Sequence, residues 1–350
     1  MKSIRTFILV AALSLSVLPL RAATPIGGLT VAVSEDGSQL VAGGDTRTLL
    51  VLDPETLEVK SRQWVGTSIV DLTFNGDGSV LAVVDSSDNV FLYSTADWSL
   101  IKEVAKVANF SAAPEAGLFA GRAGSYSEPS LEVYSFADGT VKTTIPVSKE
   151  LKVAMLALKG DGSKIAVLTQ GDTDPDEPKV ERADIPKELK GFELKEFEQR
   201  NDGKTSSYII FDVAGGAIES EAKTFYEERS GSMVYNGDTV LIVAYGNENV
   251  SISPEGEFTL FQLDNSYNYG RGFTRGNGMI LTGGLANYSL TPVDTMQAVT
   301  GKIDKLPGWP EYWKGFSGTA DGKSLYGASS AYRVVKFNPD GTVAAKMEGH

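Results

Sequence analysis

The chain has no cysteine and a single histidine, His350, which is its last residue. No disulfide, thiolate metal site, iron–sulfur cluster or cysteine nucleophile can form. With no internal imidazole, a Ser–His–Asp triad or a histidine-rich metal site is not expected. Basic residues are in deficit, 32 against 45 acidic ones, for a formal net charge of −13 over 350 residues. That balance argues against nucleic acid, whose phosphates need clustered Lys and Arg. No glycine-rich phosphate loop or dinucleotide fingerprint occurs in a strand–helix context, so no cofactor is expected. Past the first two dozen residues, no apolar run reaches the length of a membrane-spanning helix, about 18–20 residues.

What is present begins with a leader. Lys2 and Arg5 precede an apolar stretch from Phe7 to Leu20, and Ala22 and Ala23 follow it. This layout predicts a secretory signal peptide over residues 1–22, with one domain over 23–350. Loss of Lys2, Arg5 and Arg21 takes the charge from −13 to −16. The expected location is outside the cytoplasm, in a bacterial periplasm or beyond the cell, where a thiol-free chain cannot be mis-oxidised.

Between paired apolar runs, short turn signals recur: Glu35-Asp36-Gly37-Ser38, Gly76-Asp77-Gly78-Ser79, Pro114-Glu115-Ala116-Gly117, Gly160-Asp161-Gly162-Ser163, Asn236-Gly237-Asp238, Gly276-Asn277-Gly278 and Ala320-Asp321-Gly322-Lys323. Markers at 36, 77, 116, 161, 237, 277 and 321 are spaced by 41, 39, 45, 76, 40 and 44 residues. Asp-Gly and Asn-Gly supply the positive φ that tight hairpins require. Each unit then reads as four short strands: one before the turn (Ile69–Phe74), a small apolar one after it (Val80–Val84), a third (Val90–Ser94) and a polar fourth. Seven such units predict an all-β fold, a seven-bladed β-propeller of four-stranded antiparallel blades. The spacing of 76 implies an insertion in blade 4, at about 172–204. Blade 6, between Met279 and Ile303, has the poorest pattern.

The repeats resemble the WD40/YVTN-like superfamily of seven-bladed propellers over nearly all of 24–350. The run Leu49-Leu50-Val51-Leu52-Asp53-Pro54-Glu55-Thr56-Leu57-Glu58-Val59 is similar to the third strand, turn and fourth strand of YVTN-type repeats. No Trp-Asp dipeptide ends a third strand, and Gly349-His350 is the one Gly-His, so the histidine network of WD40 blades is not expected. The superfamily also includes quinoprotein dehydrogenase subunits and lactonases. The resemblance implies an innermost first strand. It also implies one face, here called the top, made by the loops between second and third strands and by the interblade connections. The Asp-Gly turns fall on the opposite face.

The top face collects the candidate binding residues. They are Trp64, Arg122, Tyr126, Tyr267, Tyr269, Arg271, Trp309, Tyr312, Trp313, Tyr332 and Arg333. Trp, Tyr and Arg are the commonest interface anchors, and aromatic platforms also bind sugars. The insertion carries eleven acidic and seven basic residues, and 185–200 has helical character. Asp172, Asp174 and Asp176 resemble the start of a calcium loop, but Glu177 and Ala183 stand where an EF-hand needs Gly and Glu. Three Asn-X-Ser sequons occur, at Asn109, Asn249 and Asn287.

Two classes of function follow. The first is an exported, non-enzymatic module that binds a protein or glycan partner, or serves as a structural subunit of an envelope assembly. The second is a lactonase-like hydrolase or dehydrogenase subunit that uses carboxylates such as Asp45, Asp85, Asp88 and Glu248 in place of histidine.

Overall fold

The structure is a computed structural model. It describes residues 27–125, 127–173, 186, 188–189, 193–194, 197–198, 202–224, 226, 232–243, 249–261, 263, 272–273, 278–283, 287–304 and 311–348.

Seven antiparallel sheets follow one another along the chain. Blade 1 spans Leu29–Trp64, blade 2 Ile69–Val104, blade 3 Ala108–Pro146 and blade 4 Val153–Thr224. Blade 5 spans Ser232–Phe261, blade 6 Gly272–Lys302 and blade 7 Trp313–Met347. In each blade the four principal strands are hydrogen-bonded in sequence order. Blade 6, which has the poorest sequence pattern, still forms its four strands, Gly272–Phe273, Met279–Thr282, Asn287–Pro292 and Val299–Lys302. The blade 4 insertion emerges between the second strand, Lys164–Thr169, and the third, Lys204–Asp212. Its base is a short ladder in which Asp172 pairs with Thr205 and Thr173 with Lys204. The expected helix over 185–200 lies for the most part outside the described residues.

A blade buries both faces against its neighbours, so its middle strands read as continuous apolar runs. Leu40–Gly44, Val80–Asp85 and Leu325–Ser329 are buried at every position. The apolar side chains sort into seven clusters, one at each joint between blades. Among the described residues no strand is exchanged to close the ring. Leu29, Val31, Val33 and Leu40 of blade 1 pack directly on Tyr326, Ala328 and Val334 of blade 7. Val33 N–H donates to Ser317 Oγ at 3.1 Å, Tyr326 O–H to Pro54 O at 2.9 Å, and Lys336 pairs with Glu55 at 2.7 Å.

The fourth strands form the outer rim, where strand edges are unpaired. Leu100, Val141, Ile218 and Val299 are exposed there. Lysines stand on six of these strands, at Lys60, Lys102, Lys142, Lys223, Lys302 and Lys346. Charge on an edge opposes edge-to-edge pairing. A Lys102→Val/Lys142→Val variant is therefore expected to self-associate, by light scattering, at concentrations where the parent chain does not. Identical scattering from the two would contradict this role for the lysines.

Candidate functional site

The first strands line a central channel of about 920 Å³. Thr30, Val70, Asn109, Met155, Ser232 and Lys314 reach it from six different blades, as expected for innermost strands. At its turn end, Lys159 bridges Asp161 (3.4 Å) and Asp238 (2.7 Å), joining the turns of blades 4 and 5.

The turn face is built from Asp side chains that accept hydrogen bonds from a Ser or Thr two residues on. Ser79 donates its N–H at 2.9 Å and its O–H at 2.5 Å to Asp77 Oδ1. Ser163 does the same to Asp161, Ser99 to Asp97 and Thr342 to Asp340. These hydroxyls, and then the amides, hold all four carboxyls below the ordinary 3.8. A carboxyl depressed on folding contributes fully above its unfolded value, and that contribution is lost as pH falls through the folded one. The melting temperature is thus expected to be level from pH 7 to about 5 and to drop below about pH 4. Circular-dichroism melts across that range check it. A loss that begins above pH 5 would point to other groups.

On the top face, Trp64 stands at the end of the fourth strand of blade 1 and is 72% exposed. Its local backbone is fixed, because Val65 and Gly66 N–H both donate to Arg47 O, at 3.0 and 3.3 Å. Arg47 holds a left-handed conformation (φ 61°) to present that carbonyl. Arg122 is exposed beside a bulge in the second strand of blade 3. Tyr312 is half-buried, and its N–H donates to Ser330 Oγ at 2.8 Å. Tyr332 is half-buried as well. Its hydroxyl donates to the Asp45 carboxylate, 2.8 Å from each oxygen, and so ties the top loops of blades 7 and 1 together. Burial first, and the Asp45 carboxylate second, push this phenol upward.

Two of the sequence-selected residues point inward. Trp313 is 4% exposed and packs in the joint between blades 6 and 7, with its ring 5.9 Å from that of Phe337. Arg333 is 0% exposed and pairs at 3.0 Å with Glu311, itself 3% exposed. Arg333 Nη2 also donates to Asp304 O at 2.5 Å, and Ser329 Oγ donates to Glu311 Oε1 at 2.6 Å. These two residues hold blade 7 together from inside and are withdrawn from the exposed surface. Tyr126, Tyr267, Tyr269, Arg271 and Trp309 lie outside the described residues.

The carboxylate candidates have structural partners. Asp45 accepts from Tyr332. Asp85 is buried, which works to raise its carboxyl. Hydrogen bonds from the amides of Asn89 and Ser87 and from the Thr67 hydroxyl outweigh that effect and leave it lowered. Asp88 is a left-handed turn residue (φ 63°), and Glu248 lies outside the described residues. Asp172 pairs with Lys152 at 2.6 Å, while Asp174 and Asp176 also lie outside. Among the described residues, no group of three or more His, Asp or Glu side chains is placed to hold a metal ion. Of the sequons, Asn109 donates its side-chain amide to Ala154 O at 3.0 Å, Asn249 is fully buried and Asn287 is exposed.

Sequence reading missed Glu311, Lys159 and Arg47. For Glu311 a signal existed. A third strand buried on both faces cannot hold Arg333 without an acidic partner, and the connection into blade 7 offers two carboxylates, Asp304 and Glu311.

No family model matches the sequence, and no curated protein matches it. Solved structures do. Hydrazine synthase from Kuenenia stuttgartiensis superposes with a TM-score of 0.60 at 14% identity, covering 89% of this chain and 96% of that one. The Cps50 (Swd1) β-propeller domain of Myceliophteria thermophila gives 0.57 at 12% identity, covering 87% and 95%. At these identities the likeness shows the propeller fold alone.

Proposed function

We propose that this protein is an exported, non-enzymatic propeller that binds a protein or glycan partner through its top face. A propeller is a generic scaffold for binding, because its rigid sheets hold variable loops on one surface. The observation that carries the reading is Trp64. It is a large aromatic side chain left 72% exposed on a backbone fixed by two hydrogen bonds to Arg47. A rigidly presented Trp loses little conformational freedom on binding and buries a large apolar area. Arg122 adds an exposed cation on the same face. The structural roles of Asp45 and Asp85 further favour binding over carboxylate catalysis.

Affinity capture from the native envelope tests this. With the parent chain as bait, a partner is expected. With Trp64→Ala/Arg122→Ala as bait, affinity for that partner is expected to fall by about thirtyfold or more, as for hot-spot truncations of about 2 kcal/mol. Equal recovery by both baits, with unchanged melting temperatures, would rule out this surface. A bait in which a short turn joins Thr173 to Lys204, keeping the ladder that closes the insertion, separates the insertion's contribution from that of the loops.

A further inference from the structure

The outer strand of blade 1, Val59–Trp64, differs in charge from the other six. It carries two cations, Lys60 and Arg62, and no carboxylate. Leu100–Val104 sets Lys102 against Glu103, and Ile218–Thr224 sets Lys223 against Glu219 and Glu221. Val141–Pro146, Val299–Lys302 and Val343–Met347 have one lysine each, and Phe258–Phe261 has no charged residue.

The charge sits next to the exposed indole. Arg62 pairs in register with Leu50, and Trp64 with Thr48. Two residues apart, Arg62 and Trp64 lie on the same face of the strand, about 7 Å along it. Arg47, one residue before Thr48, stands at the same corner and holds the backbone after Trp64 through its carbonyl. Both arginines are exposed, and among the described residues neither guanidinium has a hydrogen-bond or ion-pair partner. The carboxylates nearby are already engaged. Asp45 accepts from Tyr332, and Asp53 pairs with Lys60 at 2.9 Å. A chain of net charge −13 thus sets two uncommitted cations beside its exposed Trp.

We infer that the partner segment seated on Trp64 is an extended acidic peptide. This rests on the top-face reading above and gives its partner a chemistry. A guanidinium meets a carboxylate through two parallel hydrogen bonds, a geometry that selects Asp and Glu. Val59–Trp64 ends its sheet, so among the described residues its outward N–H and C=O groups have no strand beside them. A peptide backbone can pair with that edge as an added strand, which a sugar chain cannot do. Residues across a strand pair meet on one face. The added strand therefore sets a carboxylate opposite Arg62 and, two positions away, an apolar or aromatic side chain against Trp64. The same cations repel a second copy of this edge. Over a screening length of about 8 Å, Arg47 and Arg62 outweigh the distant negative charge of the chain, so binding is expected to weaken as salt rises.

Immobilised peptides test this with the full chain. They share a Thr-Val background with one Tyr, and carry Glu, Ser or Lys two positions from the Tyr on both sides. The Glu peptide is expected to bind about tenfold or more tightly than the Ser peptide, and the Lys peptide least. Arg47→Gln/Arg62→Gln is expected to abolish that preference, and Arg62→Gln alone, on a regular strand position, to reduce it at an unchanged melting temperature. Trp64→Ala is expected to lower binding of all three peptides. Equal binding of the three by the parent chain would overturn the inference, as would an unchanged preference in the arginine variants. In either case a loss with Trp64→Ala would leave top-face recognition standing. Binding of polygalacturonate, but of no peptide, would overturn it in favour of an acidic glycan.

Discussion

Arg333→Met is expected to lower folding stability by about 3–5 kcal/mol, the usual result of removing one partner from a buried ion pair. The guanidinium has no exposure, and its substitution leaves the Glu311 carboxylate, 3% exposed, without its cation. The backbone carbonyl of Asp304 also loses its donor. Glu348 lies 3.5 Å from Arg333 Nε, without hydrogen-bond geometry, and does not reach Glu311's side of the pair. The double variant Arg333→Met/Glu311→Gln removes both charges and is expected to recover much of the loss. Urea unfolding of the parent, both single variants and the double variant checks this. A cost below about 1 kcal/mol for Arg333→Met would show that the pair is solvated and that blade 7 is not organised around it.

Gly28→Ala is the second large effect, at about 2–6 kcal/mol from backbone strain and overpacking together. Gly28 holds φ at 118°, a conformation that L residues rarely adopt. A methyl group there would also overlap the Ser330 backbone of blade 7. The residue sits where blade 1 meets blade 7, so the strain falls on the joint that closes the ring without strand exchange. Gly160→Ala is the matching control, because Gly160 has nothing within 4 Å of an added Cβ. It is expected to be near neutral. Equal melting temperatures for the two variants would mean that the closing joint tolerates displacement.

The blades were legible because their turns are chemically explicit. An Asp followed two residues later by Ser or Thr writes both the turn and its own hydrogen bonds, as Asp77 with Ser79 and Asp161 with Ser163 show. Runs such as Val80–Asp85 are apolar at nearly every position because both sheet faces are covered. Blade 6 was hard to read for a physical reason: Thr282, Ser289 and Thr291 stand where blades 4 and 5 carry Val, Ile or Phe. The top face was legible only in part. Trp64 and Trp313 each lie at the junction of a strand and an interblade connection. What separates them is whether the next blade covers the ring, and that depends on tertiary packing. Trp313 meets Phe337 across the sheet, while Trp64 is left 72% exposed. Arg333 looked like an interface residue because Tyr-Arg pairs suit interfaces. Its position at the head of a buried third strand decided otherwise. Much of the acidic charge proved to be turn construction, with carboxyls such as Asp36 and Asp340 spent on local hydrogen bonds.

The most direct test of top-face recognition is a hydrogen-exchange footprint of the chain bound to its captured partner. Protection is expected in the top loops at 45–47, 64–68, 86–89 and 122–128, with the turns at 36–38, 77–79, 161–163 and 321–323 unchanged. Protection confined to those turns, or to the fourth strands of the rim, would contradict it.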